Sequence, residues 1–385
     1  MNIMFYLHCF PGFGGMEAMC GVLTKEFTKR GHNVCILSHK SGRGTSIMTQ
    51  VPDQVPVYHM PDSSNLVSRA NQDYLDRVIS ENHVEIVLFR DSYAKIEGNL
   101  LGRNLPVKII TSEHNMPFFC YTEARPHSDS WAGQIRRLLR NFLRPNIYKM
   151  ESVRKRYLYD NSDLYVLLSN RFWGEFRAVT RLFDSRKLRA IPNPLAPELA
   201  KVPVDLNQKE NLLVFAGTLS TEKGAMRALK ALKFLRDSQC LPAGWRFEIL
   251  GDGSERRVCE DFVAVNKMDF VSFEGYQADV SQYFRRAKIF LFPSSREGWG
   301  NVLVEAMANG CVPIAFSSYG AVFDIIQNNE NGFIIDAFNI EQYAQRLSIL
   351  MKDDSGRNTL AERAVTVRDR FSVSRIADRW EKLFA

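Results

Sequence analysis

One arrangement of elements occurs twice in this chain of 385 residues: a short apolar strand, a glycine-containing loop and an amphipathic helix. The two copies are a strand over 3–9, a loop over 11–15 and a helix over 17–30, and then a strand over 211–217, a loop over 220–224 and a helix over 227–238. Further strands are predicted over 34–38, 84–89, 107–112, 164–169, 246–251, 271–273, 289–292, 312–316 and 332–335. Apolar strands that alternate with helices predict α/β domains with parallel sheets covered on both faces.

The chain is long enough for two such domains. The stretch 192–211 is rich in proline and polar residues and weak in periodicity, as expected of a linker. We therefore predict one doubly wound domain over 1–196 and a second over 197–370. Each should bind ligands at the carboxyl ends of its strands.

The composition, with 45% hydrophobic and 24% charged residues, is typical of a globular protein without a membrane span. The apolar N-terminus lacks a basic region and a cleavage site, so it is predicted to be a strand and not a signal peptide. Seven scattered cysteines form no CxxC pair. They indicate reduced thiols in the cytoplasm and no structural zinc.

Positive charge is concentrated between residues 134 and 157, where eight basic side chains stand against one acid, Glu151. The basic residues are Arg136, Arg137, Arg140, Arg144, Lys149, Arg154, Lys155 and Arg156. Apolar residues are interleaved with them, which is typical of a segment that binds an anionic membrane surface. A solvated helix–loop–helix face is the alternative interpretation, and no nucleic-acid partner is predicted.

The most informative stretch is 288–315, KIFLFPSSREGWGNVLVEAMANGCVPIA. A strand ends at Pro293, the loop Glu297-Gly298-Trp299-Gly300 follows, and a helix begins near Asn301 with Val302, Leu303, Ala306 and Met307 on one side. A glycine loop before a helix N-terminus favours a phosphate group. Glu297 and Glu305, eight positions apart, suit hydroxyl groups, so the pattern indicates a sugar nucleotide.

Two other loops follow the first strand of each half. Gly14 and Gly15 allow close backbone approach to a diphosphate, although a tight strand-to-helix turn explains them equally well. In the second loop, Thr218 precedes Lys223, whose ammonium can add a positive charge to a phosphate site.

His114 follows the predicted strand 107–112, at the edge of a sheet where reactive groups are found. It is a candidate to bind substrate or to share a developing charge. His8, at the end of the first strand, is a weaker candidate.

Several classes of site have no support in the sequence. It contains no G-x-G-x-x-G fingerprint, no P-loop, no G-x-S-x-G elbow and no acidic pair of the DxD type. An NAD-dependent oxidoreductase and a triad hydrolase are therefore disfavoured. We predict neither a cofactor nor a metal, so backbone amides, helix dipoles and Lys223 would neutralise a leaving diphosphate.

In this order and spacing the motifs resemble those of the retaining GT-B glycosyltransferases of family 4, over nearly the whole chain. The most specific element is E-x7-E (Glu297 to Glu305), followed by Ala306, Ala308, Gly310 and Pro313 in the pattern A-x-A-x-G-x-x-P. Supporting motifs are GGMEAM at 14–19, SEHN at 112–115, IPNPL at 191–195, FAGTLSTEKG at 215–224 and FEILGDG at 247–253.

The resemblance implies two Rossmann-like domains facing a cleft, with the C-terminal helix (371–385) returning to the first domain. It implies that Glu305 binds ribose, that Glu297 with the Gly298–Gly300 amides binds the donor sugar, and that Lys223 holds the diphosphate. By the same likeness Gly14 and Gly15 approach the β-phosphate, and His114 lies near the sugar. Trp299 and Asn301 belong to the same predicted donor-binding set.

The implied reaction transfers a hexose-type sugar, with retention, from a UDP-sugar or a GDP-sugar to a glycan or lipid-linked acceptor. Cell-surface polysaccharide biosynthesis at the inner face of the membrane is the expected setting. Thr218 stands where the family usually has an arginine. Two alternatives stay open: a sugar-nucleotide epimerase or hydrolase of the same fold, and a non-catalytic partner of another transferase.

Overall fold

A computed structural model describes residues 1–12, 15–42, 50–90, 96–117, 146 and 148–385. The described residues fall into two compact units. The first takes those within 1–120 and 145–196 together with Phe371–Ala385, and the second takes Pro197–Arg370.

The first unit is built on a seven-stranded parallel sheet of order β3-β2-β1-β4-β5-β6-β7. Its strands are β1 (Asn2–Cys9), β2 (Asn33–Lys40), β3 (Val57–His59), β4 (Ile86–Arg90), β5 (Lys108–Ser112), β6 (Leu164–Leu167) and β7 (Leu188–Ala190). Its helices are α1 (Gly15–Lys29), α2 (Arg69–Glu81), α3 (148–160) and α4 (Trp173–Thr180), with short 3-10 turns at Ile96–Asn99 and Asn170–Phe172. The central strands are almost wholly buried because helices cover both faces.

The C-terminal segment completes the core of this first unit. Its helix, numbered α14 below (Val373–Glu381), buries Ile376 and Trp380 in the same apolar cluster as Phe27 of α1. Arg30 ties the two helices together by donating to Asp378 at 2.6 Å and to Glu381 at 2.7 Å. The return of the last helix to the first half of the chain therefore rests on apolar burial and on charged hydrogen bonds.

The second unit contains a six-stranded parallel sheet of order β10-β9-β8-β11-β12-β13. Its strands are β8 (Glu210–Ala216), β9 (Arg246–Leu250), β10 (Val271–Gly275), β11 (Ala287–Phe292), β12 (Val312–Phe316) and β13 (Phe333–Ile335). Its helices are α5 (Pro197–Ala200), α6 (Ala225–Asp237), α7 (Arg256–Val265), α8 (Ser281–Arg286), α9 (Asn301–Ala308), α10 (Val322–Ile325), α11 (Ile340–Lys352), α12 (Asp354–Val365) and α13 (Val367–Arg370), with a 3-10 turn at Leu206–Gln208.

The predicted α/β class with two doubly wound parallel sheets is confirmed. Strand and helix ends differ from the predicted ones by one or two residues. Two strands, β3 and β7, were not predicted, because each has only three residues and lies at a sheet edge without a strong apolar pattern. In α9 the prediction for Val302 was wrong: it is only partly buried, and Val304 takes the inward position.

Candidate functional site

The second unit has its topological switch point between β8 and β11, the neighbouring strands from which the chain order runs in opposite directions. The loops after these strands, 217–224 and 293–300, both leave the carboxyl edge of the sheet. Crevices at such switch points are where open α/β sheets bind ligands.

Hydrogen bonds hold these two loops together. The Ser295 amide donates to the Glu222 carbonyl at 2.7 Å, and Arg227 Nε donates to the Pro293 carbonyl at 2.8 Å. The Arg296 guanidinium also pairs with the Glu222 carboxylate. Because main-chain groups form part of this network, the two loops present their side chains from a fixed frame.

Two predicted site residues from different loops meet in this frame. Lys223 Nζ lies 2.6 Å from Glu297 Oε1, and the Ser294 hydroxyl donates to the same oxygen at 2.9 Å. The side chain of Lys223 is 33% exposed and that of Glu297 is 11% exposed. The loops thus present a cation beside a carboxylate whose geometry is fixed from two sides.

The start of α9 lies next to this pair. Its N-cap residue Gly300 has φ +103°, a left-handed conformation, and the helix has no side-chain cap. A Cβ at this position would lie 3.1 Å from the hydroxyl of the buried Tyr319, so backbone conformation and space both favour glycine. Uncapped amides at a helix N-terminus favour an anionic group.

Glu305 lies one turn into α9 and is partly buried. Desolvation raises the pKa of its carboxyl to about 7. Among the described residues this carboxylate has no ion-pair partner, which is why burial dominates its titration.

The remaining predicted residues of the second unit differ in exposure. Thr218 is exposed on the loop after β8, Gly298 and Trp299 are buried, and Asn301, the first residue of α9, is partly buried. Trp299 as a whole is only 3% exposed, so its indole is not available to an open site.

A close backbone contact shapes the neighbouring edge of the loop after β8. The Leu219 amide donates to the Asp252 carbonyl at 2.9 Å. At Gly251, with φ +128°, a Cβ would lie 2.0 Å from the Gly217 carbonyl oxygen. Only glycine allows the loops after β8 and β9 to approach this closely.

In the first unit His114 follows β5, beside the carboxyl end of β4. Its Nε2 accepts a hydrogen bond from Arg90, the last residue of β4. Burial, and then the charge of Arg90, hold the pKa of His114 well below its ordinary value. Gly15 begins α1, whereas Gly14 lies outside the described residues.

Sequence reasoning missed Arg90, Ser294, Arg227 and Tyr319. Each lies at or just beyond the carboxyl end of a strand, or in the helix that follows one. Position relative to a strand end is a usable signal, but isolated polar residues at such ends are too common to identify a site.

Only part of the basic segment 134–157 falls within the described residues. There, Arg154 donates to Glu97 at 2.7 Å and Lys155 forms a buried pair with Glu113, so both point inward. Lys149 and Arg156 are exposed on α3. In the described part, the segment therefore presents fewer basic side chains at the surface than its sequence indicates.

The described residues contain neither a membrane-spanning helix nor a metal-binding cluster. No helix among them is both long and apolar enough to cross a membrane. In the same ranges, no group of three or more histidine, cysteine, aspartate or glutamate residues is arranged to hold a metal ion.

Both halves of the chain match known glycosyltransferases. The model of the family described as glycosyl transferases group 1 matches residues 198–366, and the model of glycosyltransferase family 4 matches residues 13–199. An uncharacterized glycosyltransferase of Haemophilus influenzae is 23% identical, and the alignment covers 99% of each chain.

A Campylobacter jejuni relative is 30% identical over 178 residues, which cover 46% of this chain and 49% of that one. It is named GalNAc-alpha-(1->4)-GalNAc-alpha-(1->3)-diNAcBac-PP-undecaprenol alpha-1,4-N-acetyl-D-galactosaminyltransferase. Among solved structures, Anabaena Alr3699/HepE in complex with UDP superposes with a TM-score of 0.73 at 16% identity, covering 100% of this chain and 99% of that one. With the two parallel sheets and the two family matches, these likenesses show that the chain belongs to the GT-B glycosyltransferases of the family 4 type.

Proposed function

We propose that this glycosyltransferase transfers a hexose-type sugar from a UDP-sugar, with retention of anomeric configuration, to a glycan or lipid-linked acceptor in cell-surface polysaccharide biosynthesis. The observation that carries the proposal is the Lys223–Glu297 pair, 2.6 Å apart at the switch point of the second unit and next to the start of α9. The Lys223 ammonium can pair with a diphosphate, and the Glu297 carboxylate can accept hydrogen bonds from sugar hydroxyls.

In this proposal, binding of the sugar nucleotide breaks the contact between Lys223 and Glu297. Lys223 turns to the diphosphate, and the α9 amides reinforce it, so negative charge on the leaving group is stabilised by fixed donors. Glu297 keeps its bond from Ser294 and accepts from donor-sugar hydroxyls, while Glu305 accepts from ribose hydroxyls. Gly298, Trp299 and Asn301 supply backbone groups around the sugar.

No cofactor and no metal is part of the proposal, since Lys223 and backbone amides balance the leaving charge. Retention would follow front-face displacement, in which a donor phosphate oxygen takes the proton of the acceptor hydroxyl. No protein nucleophile is then required. His114, Gly14 and Gly15 of the first unit are proposed to contact the donor sugar and the β-phosphate. Because Thr218 stands where the family usually has an arginine, one diphosphate contact is either missing or supplied by another residue.

The choice of donor and acceptor draws on the relatives. The Anabaena structure holds UDP, and the Campylobacter relative is named for an acceptor linked to undecaprenol diphosphate. These names support a UDP-sugar and a lipid-linked glycan here. An epimerase, a hydrolase or a non-catalytic partner is not favoured, because the two family models and the relatives named above are those of glycosyltransferases.

The test measures donor-dependent release of nucleoside diphosphate by the full chain with an acceptor. Glu297→Ala and Lys223→Ala should each lower turnover about 100-fold or more, the scale of losing one fixed transition-state contact. Matched controls are Lys230→Ala, on the exposed side of α6, and Glu330→Ala, at an exposed turn of the same unit. Undiminished turnover in both site variants would contradict the assignment.

Two further readouts check the finer parts of the proposal. NMR of the product should show the same anomeric configuration as the donor. Donor consumption should require acceptor, and fast consumption without acceptor would favour a hydrolase or an epimerase. Calorimetry that detects no sugar-nucleotide binding would favour a non-catalytic partner.

We also propose that the first unit contacts an anionic membrane surface at the cytoplasmic face, where a lipid-linked acceptor would be found. Three exposed apolar residues line one side of α3: Met150 at 59%, Val153 at 62% and Tyr157 at 39%. Lys149 and Arg156 are exposed on the same helix. Apolar residues flanked by basic ones suit the boundary between headgroups and acyl chains.

A further inference from the structure

A buried arginine ends β4 at the carboxyl edge of the first sheet. Arg90 is 2% exposed, and its guanidinium carbon lies 5.7 Å from the centre of the Phe5 ring. Its Nη1 donates to His114 Nε2. Its Nε and Nη2 have no hydrogen-bond partner in the part of the chain that the structure describes. The imidazole is therefore the principal polar contact of this guanidinium.

The chemistry of arginine decides the state of the histidine. A guanidinium donates hydrogen bonds and accepts none. Burial lowers the pKa of Arg90 to about 10, so it stays protonated at neutral pH. The facing nitrogen, Nε2, must then present a lone pair, and a neutral imidazole in that orientation carries its proton on Nδ1.

The other groups around the ring do not change this assignment. The Ser112 hydroxyl lies 3.4 Å from the same Nε2, and Nδ1 lies 3.5 Å from Arg90 Nη1, farther than Nε2. The Glu113 carboxylate points away from His114: it pairs with Lys155 and accepts a hydrogen bond from the Tyr165 hydroxyl at 3.0 Å.

On the side of α1, Glu17 and Cys20 face Arg90. Burial raises the pKa of the Cys20 thiol to about 12, so the thiol is uncharged. Arg90 is thus the charge in direct contact with His114.

We propose that Arg90 is a positioning residue for His114: it fixes the Nδ1–H tautomer, orients the ring and keeps the imidazole neutral. A second cation placed against a buried guanidinium is strongly unfavourable, so protonation of His114 is suppressed. This inference rests on the proposed function only where it assigns His114 a role beside the donor sugar.

The proposal defines what His114 contributes to transfer. With Nε2 occupied, Nδ1–H is a hydrogen-bond donor to a sugar hydroxyl and not a base. A neutral ring also avoids opposing positive charge at the anomeric carbon, which develops in oxocarbenium-like transition states. An imidazolium in the same place would raise the energy of such a state.

The direct test is NMR of the full chain labelled with ¹⁵N-histidine, between pH 5 and pH 8, without donor or acceptor. His114→Gln identifies the resonances. In the unmodified chain we expect the Nδ1–H tautomer and no titration of His114 near its ordinary pKa, because burial and the Arg90 charge hold that pKa well below the ordinary value. An Nε2–H tautomer, or titration near the ordinary value of about 6.5, would overturn the proposal.

Two variants separate charge from burial. Arg90→Met removes the guanidinium and keeps an unbranched chain, so His114 should titrate closer to 6.5. Arg90→Lys keeps the charge, and His114 should stay neutral. A His114 that still does not titrate in Arg90→Met would assign its state to burial alone and contradict the role of Arg90. If Arg90→Met does not fold, the tautomer of the unmodified chain decides.

Kinetics distinguish this inference from the proposed function. In Arg90→Met, donor turnover should acquire an acidic limb, losing about tenfold per pH unit below the new pKa. Ser112→Ala is the matched control, because it removes the weaker contact to Nε2 and should keep the unmodified profile. If His114 titrates in Arg90→Met while the rate stays flat, Arg90 still sets the protonation state, and the proposed contact of His114 with the donor sugar is contradicted.

Discussion

Glu305, proposed to bind ribose hydroxyls, also lowers the stability of the folded chain when its carboxyl is ionised. Its carboxyl is partly buried in α9, and the pKa of that carboxyl is raised to about 7 from an ordinary value of 4.5. Between these two values the folded chain binds a proton that the unfolded chain has released. The free energy of unfolding must therefore decrease as the pH rises through this range.

We expect the contribution of Glu305 to the unfolding free energy to fall by about 3 kcal/mol between pH 4.5 and pH 7, and to level off above pH 7. The measurement is the free energy of unfolding of the second unit in urea at several pH values, for the unmodified chain and for Glu305→Gln. The glutamine variant should gain stability relative to the unmodified chain as the pH rises.

Glu330→Gln is the control for this experiment, because Glu330 is exposed at a turn of the same unit. Its stability difference from the unmodified chain gives the baseline at each pH for the removal of an exposed glutamate charge. A Glu305→Gln difference that follows this baseline would show that the pKa of Glu305 is not raised in the folded state.

At the scale of elements, the site depends on how loops after neighbouring strands approach one another. The loop after β8 packs against the loop after β9 at the Gly217–Gly251 contact and is bonded to the loop after β11 through Glu222. The sequence predicts each loop and most strand and helix positions from local patterns. It does not predict which loops touch, because that depends on strand order in the sheet.

Replacing Gly251 tests this close approach. Gly251→Ala places a Cβ 2.0 Å from the Gly217 carbonyl oxygen, so the backbone must move, and we expect a loss of about 3 kcal/mol or more together with weaker binding of nucleotide. Thermal unfolding and UDP titration of the full chain measure both effects.

Gly244→Ala is the matched control for Gly251→Ala. Gly244 also has a positive φ, +79°, but a Cβ there would meet nothing within 4 Å. Gly244→Ala should lower the free energy of unfolding by only about 1–2 kcal/mol, because alanine is strained in the left-handed backbone conformation. Equal losses in the two variants would attribute the effect to φ and not to the contact between loops.

At the scale of the whole molecule, the described residues pass from the first unit to the second at Pro197 and return to the first at Phe371. The C-terminal helix α14 returns to the first unit, where Phe27 and Phe384 pack edge to face with ring centres 5.5 Å apart. Amphipathic spacing in the sequence predicts a helix there. The family resemblance implied only its return to the first domain, and its packing against α1 is seen in the structure.

The proposed membrane contact also belongs to this scale, because it concerns the surface of a whole unit. Val153→Asp on α3 should weaken co-sedimentation with vesicles of anionic lipid about tenfold, since the substitution removes apolar burial and adds repulsion. Binding should decrease with salt. The control is Val265→Asp, which changes a valine that is 82% exposed in the second unit. An equal effect of both substitutions, or binding that ignores salt and anionic lipid, would contradict the proposal.

The α/β class, most strand positions, the loops that carry Lys223 and Glu297 and the helix that carries Glu305 can be predicted from the sequence, because they follow from periodicity and from glycine within a few residues. Which residues meet depends on the tertiary structure. Lys223 and Glu297 are 74 positions apart in sequence, and only the adjacency of β8 and β11 brings them to 2.6 Å. Arg90 and His114 meet in the same way, across β4 and β5. Each strand and helix follows from a local sequence pattern. Contacts between side chains on different strands depend on strand order and burial, and these cannot be predicted from any short stretch of sequence.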